Sequence, residues 1–254
     1  MSTFGFTLFI LSYMILLCSL LLFSNLILYN RRLLITETFM KSKLTIRIVS
    51  YLFGLVVMAF GISMAIRADI GVAPGSTIPY AVSKLSPLTI GQCSSLFHIF
   101  CMLAQLAITR KPSLKLVFQF PLAYAFGLLI DAFYLLLDVS LAGIPIRVMF
   151  LLAGLLIFSL GIRIIVGADV LLAPPDGLAQ ALGNIFGWPM SKSKLAFDIV
   201  VTVFTAILTL ITLGDLFVVV SAGTVICAIG TGPLIGLYTK LFPFFDIARR
   251  IEWH

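Results

Sequence analysis

The chain has 254 residues, of which 61% are hydrophobic and only 11% are Asp, Glu, Lys or Arg. An ordinary soluble domain carries about 25% charged residues and could not hide this much apolar surface from water. The mean hydropathy of +1.18 also excludes a disordered chain. The net charge of +7 is spread in short clusters between apolar runs, so it does not indicate a nucleic-acid partner. Composition therefore predicts an all-α polytopic membrane protein surrounded by a lipid bilayer.

Seven apolar runs are long enough to cross a bilayer as helices, which takes about 20 residues each. In chain order they are 3–29, 48–66, 85–109, 116–137, 145–166, 195–213 and 216–239. The first is expected to be an extra N-terminal transmembrane helix within residues 1–30, because its positive charges follow the apolar run instead of preceding it. Residues 241–254 are expected to form a cytoplasmic interfacial tail or a frayed end.

Basic residues between the runs predict the orientation of the chain. With the N-terminus outside, thirteen Lys and Arg residues fall on the inner side and only Arg67, Lys84 and Arg147 fall on the outer side. Cytoplasmic loops carry the excess of Lys and Arg in membrane proteins. The sequence therefore predicts an N-out, C-in protein with multiple passes through a bacterial cytoplasmic (inner) membrane.

An internal repeat appears when the sequence is shifted by 100 residues. Segments 54–98 and 154–198 then align without a gap and share ten identities, which include Gly, Asp and Pro in the same order. A weaker match extends the repeat, since residues 127–130 resemble residues 232–235 with a shift of 105. The chain crosses the membrane three times between the copies, so the predicted repeats, 46–140 and 145–240, have inverted topology. Inverted repeats with interrupted segments are typical of transporters.

Each copy contains a break between its first two spans, 67–75 in one and 167–175 in the other. Pro74, Pro174 and Pro175 cannot continue a helical hydrogen-bond ladder, so a short helix is expected after each break, at 77–85 and 177–186. Ser76 or Thr77 is the candidate cap of the first short helix and Asp176 of the second. Two placements are open for each short helix. It is a re-entrant half-helix with its tip at a central site, or it lies in the membrane interface. A tip at membrane depth would suit an anion or a carboxylate.

Ionisable residues within or beside the apolar runs are the other candidates for substrate or ion binding, because charge in lipid is costly. Asp69 and Asp169 recur in both copies and serve either as an ion site or as structural caps. Asp131 is the deepest acid and the first candidate for proton or cation coupling. His98 and Asp198 occupy equivalent positions in the two copies. The complete set of candidate binding residues is Asp69, Ala73, Pro74, Gly75, Ser76, His98, Asp131, Asp169, Pro174, Asp176, Gly177 and Asp198.

Glycines recur at fixed places in the spans and are expected to let helices approach closely. Gly54 and Gly61 match Gly154 and Gly161 in the second copy, and Gly223, Gly230 and Gly232 lie in the last span. The four cysteines have no paired or metal-type spacing and are expected to be apolar fillers.

Several motifs together resemble the YczE/YitT-like family of bacterial integral membrane proteins, the YczE branch in particular. The resemblance covers 46–240 and departs from the family pattern at Gly75, Ala173 and Asp198, where the family often has an aromatic residue, Gly and Glu. It implies the membrane fold and leans towards transport. The motifs that carry it are Ala68–Pro74, Thr89–Gly91, Pro174–Leu178, Ser191–Lys194 with Asp198, Gly223–Thr224 and Gly232–Ile235.

Two functions remain open from the sequence. The first is a secondary transporter or exporter that moves a small solute, anionic or of another kind, by alternating access of the repeats. The second is a membrane scaffold or accessory subunit, and a homo-oligomer is compatible with both. The sequence has no HExxH, GxSxG or Walker motif and no Cys/His cluster, so neither an enzyme nor a cofactor or metal site is expected.

Overall fold

The computed structural model describes residues 37–110, 114–214 and 219–245. Within these ranges the chain is all-helical, with eight α-helices and two short 3-10 turns at Pro74–Ser76 and Pro243–Phe245. The predicted first span and most of the C-terminal tail lie outside the described residues. The α-helices are α1 Glu37–Ala68, α2 Thr77–Leu85, α3 Ile90–Thr109, α4 Leu114–Leu136, α5 Ile144–Ala168, α6 Pro174–Phe186, α7 Met190–Leu213 and α8 Ala222–Leu241.

Six of these helices are long and apolar enough to cross a membrane, namely α1, α3, α4, α5, α7 and α8. They correspond to six of the seven predicted spans, and the chain is a multi-pass membrane protein. Four predicted starts differ from the structure by five residues or more. Two helices begin earlier than predicted, α1 at Glu37 instead of 48 and α7 at Met190 instead of 195, and two begin later. The third run begins at Ile90 and not at 85, because Ser86–Thr89 form a loop that ends in a capping box at Thr89. The last helix begins at Ala222 and not at 216, after a second capping box at Ser221.

The two short helices lie where the breaks were predicted, and α2 has the predicted bounds. The second short helix starts at Pro174, three residues earlier than predicted, because proline is favoured at the first helical position. Asp176 is therefore not the N-cap but an acid in the first turn, and Ala173 is the cap residue. In the first copy Ser76 is the cap residue but makes no side-chain capping bond, whereas the Thr77 hydroxyl donates to the carbonyl of Pro74.

The centre of the fold is the pair α1 and α5, which cross at their glycines. A Cβ atom on Gly61 would lie 2.4 Å from the backbone nitrogen of Phe158, and one on Gly161 would lie 2.6 Å from that of Met58. Met58 faces Gly161 and Gly61 faces Phe158, so residue numbers fall along α5 as they rise along α1 and the two helices run antiparallel. The expected glycine packing is found here but not at Gly232, which has nothing within 4 Å of a Cβ atom.

Helix α4 packs beside α1 and against α3. The Ser63 hydroxyl donates to the carbonyl of Ile130, and the Arg67 guanidinium donates to that of Tyr134 one turn later, so α1 and α4 run parallel. Between α3 and α4 a Cβ atom on Gly91 would lie 2.0 Å from the carbonyl oxygen of Gly127. These close backbone approaches position both breaks next to the α1–α5 core.

Candidate functional site

The two Ala-Pro breaks lie on a shared cavity of about 120 Å³, called here the central cavity. The backbone turns in the same way at both, since Ala73 and Ala173 have φ near −60° and ψ of 143° before the helical turn that follows. Six of the polar side chains lining the cavity come from the same three positions of each copy, and Thr231 of α8 is a further one. The six are Ser76, Ser94 and His98 from the first copy and Asp176, Lys194 and Asp198 from the second.

Lys194 holds the two acids of the second copy together. Its Nζ atom lies 2.8 Å from Oδ1 of Asp176 and 2.8 Å from Oδ1 of Asp198. Asp176 comes from the first turn of α6, whereas Lys194 and Asp198 are one turn apart on α7. The short helix is thus tied by an ionic cluster to the span that follows it.

The first copy supplies the facing side of the cavity with uncharged groups. His98 is only 9% exposed and its ring stacks on that of Phe126, with centroids 5.4 Å apart. Ser94 is 5% exposed. Gly75, at the first break, places a hypothetical Cβ atom 4.0 Å from Nζ of Lys194, so the first break approaches the ionic cluster of α6 and α7 across the cavity.

A second cavity of about 430 Å³, called here the vestibule, lies beside the second break. Met58, Ile162, Ala173 and Asp176 line both cavities, so the two spaces adjoin. The remaining polar lining of the vestibule is Gln105, Gln119, Asp169 and Gln180. Gly177 lies at its edge, where a Cβ atom would be 2.5 Å from Oε1 of Gln105.

The first break is sealed by the start of α8. The backbone nitrogen of Gly223 donates to the carbonyl of Ile70 at 3.1 Å, and the hydroxyl of Ser221 donates to the same carbonyl. The nitrogen of Val72 donates to the Thr224 hydroxyl at 3.3 Å. At the second break the Gln119 amide donates to the carbonyl of Leu172 at 2.9 Å, and the Arg47 guanidinium donates to the carbonyl of Ala168 at 2.8 Å. In the described part of the chain the vestibule thus adjoins the second break, whereas the start of α8 covers the first.

Asp69 and Asp169 lie outside the central cavity, at opposite ends of the α1–α5 pair. Both have left-handed backbone, with φ of 53° and 48°, directly after the last helical residue. The carboxylate of Asp169 accepts from Arg47 at 2.9 Å, and that of Asp69 lies 3.7 Å from Arg147. Asp69 also accepts a hydrogen bond from the Tyr80 hydroxyl. Burial, followed by this hydrogen bond, raises the pKa of Tyr80.

Asp131 is also placed away from the cavity. Its Oδ1 accepts from the backbone nitrogen of Gly91 at 2.7 Å and its Oδ2 accepts from the Thr89 hydroxyl. The carboxylate thus holds the exposed amino end of α3, as an acid at a helix N-terminus is expected to do.

The structure brings together Ala73, Pro74, Gly75, Ser76, His98, Asp176 and Asp198 of the predicted site residues, and Ala173 and Pro175 replace Pro174 in the lining. Sequence reasoning missed Lys194, which it counted only as an inner basic residue and a motif position. The signal was available, because Lys194 stands four residues before Asp198 on one helix face.

These features define a polytopic α-helical membrane protein with a charged cavity between its two halves. A family model described as a family of unknown function (DUF6198) matches residues 45–240, so the chain belongs to that family. It is similar to the "Uncharacterized membrane protein YczE" of Bacillus subtilis (strain 168), with 24% identity over 186 residues that cover 67% of this chain and 85% of that protein. The expected family resemblance is therefore confirmed. No solved structure matches the chain.

Proposed function

We propose that the protein is a secondary transporter of a small solute in the bacterial cytoplasmic membrane. Residues 46–140 and 145–240 act as two inverted repeats that alternately expose the central cavity to either side, and 1–30 adds a further transmembrane helix. Transporters of this kind bind their substrate at broken helices between the repeats.

Reciprocal contacts between α1 and α5 support the inverted repeat. The approach of Gly61 to Phe158 has a counterpart in the approach of Gly161 to Met58. Gly161 is the position 100 residues after Gly61, and Met58 is the position 100 residues before Phe158. The pair of Arg47 with Asp169 likewise has its counterpart in Arg147 with Asp69. A two-fold axis that relates antiparallel copies produces such exchanged pairs.

The hydrogen bonds at the two breaks follow the same relation. Val72 of the first break pairs with Thr224 of α8, and Leu172 of the second pairs with Gln119 of α4. Val72 and Leu172 are 100 residues apart, and Gln119 and Thr224 are 105 apart, which are the two shifts found in the sequence. Helices α4 and α8 thus act as equivalent gates over opposite breaks.

The observation that carries the proposal is the placing of one cavity between both breaks, with the vestibule beside the second break and α8 over the first in the described part of the chain. In the predicted N-out, C-in orientation the vestibule faces the cytoplasm, so this is an inward-facing state. Because α4 and α8 are equivalent, we expect a second, outward-facing state. In that state α4 closes the second break and α8 moves away from the first.

Cysteine labelling at Ser76 tests alternating access. Ser76 lines the central cavity and makes no capping bond, so Ser76→Cys preserves the fold. The background variant has its four native cysteines changed to alanine. A membrane-impermeant maleimide is applied to right-side-out and to inverted vesicles. Label is expected from both sides, several-fold more slowly from the outer side because α8 must first move.

Ser63→Cys is the matched control, because Ser63 is fully buried between α1 and α4 and should stay unlabelled from either side. Gln180→Cys, in the vestibule, should be labelled from the cytoplasmic side alone. If Ser76→Cys reacts from one side only under every condition, the cavity does not alternate. The protein would then be a scaffold or accessory subunit with a dead-end cavity.

A further inference from the structure

The charge of the central cavity decides the class of solute that it can hold. Two carboxylates, Asp176 and Asp198, face a single ammonium group on Lys194, so the charged side chains that line the cavity carry one excess negative charge. An uncompensated charge in surroundings of low dielectric constant is costly. One monovalent cation neutralises the cluster, whereas an anion would add to the excess.

The carboxylates keep free acceptor atoms for such a cation. The Nζ atom of Lys194 lies 2.8 Å from Oδ1 of both acids. In the described part of the chain neither Oδ2 atom accepts a hydrogen bond, and the buried Oδ1 of Asp198 has no directed hydrogen bond either. Each Oδ2 can therefore accept from an N–H group that enters the cavity. Asp176 also occupies the first turn of α6, so the positive end of that helix already has its negative charge and does not call for an anionic ligand.

Two buried polar groups on the facing side independently point to a ligand. His98 is 9% exposed and Ser94 is 5% exposed, and both line the cavity. Neither side chain has a hydrogen-bond partner among residues 37–110, 114–214 and 219–245, although buried polar groups are nearly always satisfied. A ring nitrogen of His98 and the Ser94 oxygen can both accept from an ammonium group held between the acids.

The vestibule offers the same chemistry along the access route. The buried Oε1 atoms of Gln105 and Gln119 have no donor in the described part of the chain. They line the vestibule with Asp169 and with Asp176, which is shared with the central cavity. Oxygen acceptors thus lead from the second break to the ionic cluster.

We propose that the central cavity binds a small primary ammonium ion, held by Oδ2 of Asp176 and Asp198 and by His98. Lys194 stays between the acids and keeps them apart, so the occupied cluster has two negative and two positive charges. The cavity of about 120 Å³ is several times what one water molecule needs, and apolar side chains such as Ile62, Ile130 and Phe158 line it beside the charges. An alkyl chain of a few carbons fits these walls. This inference rests on the proposed transport function and names its substrate class.

Calorimetry on the full chain in lipid nanodiscs tests the proposal. The probes are primary alkylammonium chlorides from methyl to hexyl, with sodium propionate and tetramethylammonium chloride as controls. Saturable binding of a short alkylammonium ion is expected, without binding of propionate. Tetramethylammonium should bind at least tenfold more weakly, because it has no N–H group to donate.

Variants assign the binding to the cluster. Asp198→Asn should weaken alkylammonium binding at least tenfold, because it removes the excess charge. Asp138→Asn is the matched control, since Asp138 is an exposed acid in the loop after α4 and pairs with Arg67. The melting temperature of each variant shows whether it folds. If Asp198→Asn does not fold, Asp176→Asn replaces it as the test variant, because it also removes one negative charge from the cluster.

Each result supports or overturns the inference. No alkylammonium binding by the folded wild-type protein overturns it, as does propionate binding of equal strength or an unchanged affinity in the folded Asn variant. Ammonium binding without two-sided labelling of Ser76→Cys supports the site and rejects transport. Two-sided labelling without ammonium binding keeps transport and rejects this substrate class.

Discussion

Asp69 and Asp169 recur in the sequence because each ends a helix in the left-handed region. Asp and Asn tolerate positive φ better than other residues with a side chain, because their short polar group bonds locally. The structure therefore gives them the capping role that the sequence left open. Each also pairs with an arginine from the start of the opposite helix, which fixes the ends of the α1–α5 pair.

Gly161 is a sharper case of a residue dictated by a close approach. Gly161→Ala would place a methyl group 2.6 Å from the backbone nitrogen of Met58, and a backbone cannot rotate away as a side chain can. We expect a loss of about 1–3 kcal/mol of stability, the usual cost of overpacking. Thermal unfolding in detergent, followed by circular dichroism, measures the change.

Gly232→Ala is the control for this prediction, because it makes the same substitution in α8 where nothing lies within 4 Å. It should melt at or slightly above the wild-type temperature, since alanine favours a helix. Equal melting temperatures for the two variants would show that the α1–α5 crossing is looser than the glycine contacts indicate.

At the scale of helices, Asp131 joins α4 to the start of α3. Asp131→Asn keeps the shape but removes the negative charge, so the Gly91 nitrogen and the Thr89 hydroxyl no longer bond to a charged acceptor. Hydrogen bonds to a charged group contribute about 1.5–3 kcal/mol. We expect a fall of about that size in unfolding free energy, measured by denaturant or thermal titration, with alkylammonium affinity unchanged.

The unchanged affinity separates this structural role from the coupling role considered for Asp131 in the sequence analysis. Asp138→Asn again serves as control, because that acid is exposed and an exposed ion pair adds little. A tenfold loss of ammonium binding in Asp131→Asn, at normal stability, would return Asp131 to the binding site.

The sequence predicted the helices better than it predicted their partners. Hydropathy found the six described spans, and the prolines located both short helices, since these signals are local. The start of α3 and the cap of α6 were missed because Thr89 and Pro174 override the apolar pattern. Lys194 was missed for a different reason. A lysine beside an inner loop is expected to be exposed to water. Asp176 reaches Lys194 only because α6 packs against α7, and sequence alone does not show that packing.

At the scale of the molecule, the antiparallel α1–α5 pair decides which loops share a side of the membrane. Asp69, Arg147 and the loop after α4 lie at one end, where Arg67 pairs with Asp138. Arg47 and Asp169 lie at the other end, together with the short helix α6. The basic residues predict that the second end faces the cytoplasm, so the two breaks face opposite sides of the bilayer.

Labelling of intact cells tests this arrangement with two exposed positions. In the cysteine-free background, Ser140→Cys lies in the loop after α4 and Asn184→Cys lies on α6. An impermeant maleimide should react with Ser140→Cys in intact cells and with Asn184→Cys only after permeabilisation. The reverse pattern would place the vestibule on the outer side and make the same cavity outward-facing. Labelling of both positions in intact cells would contradict the antiparallel pair itself, because α5 would no longer separate them across the membrane.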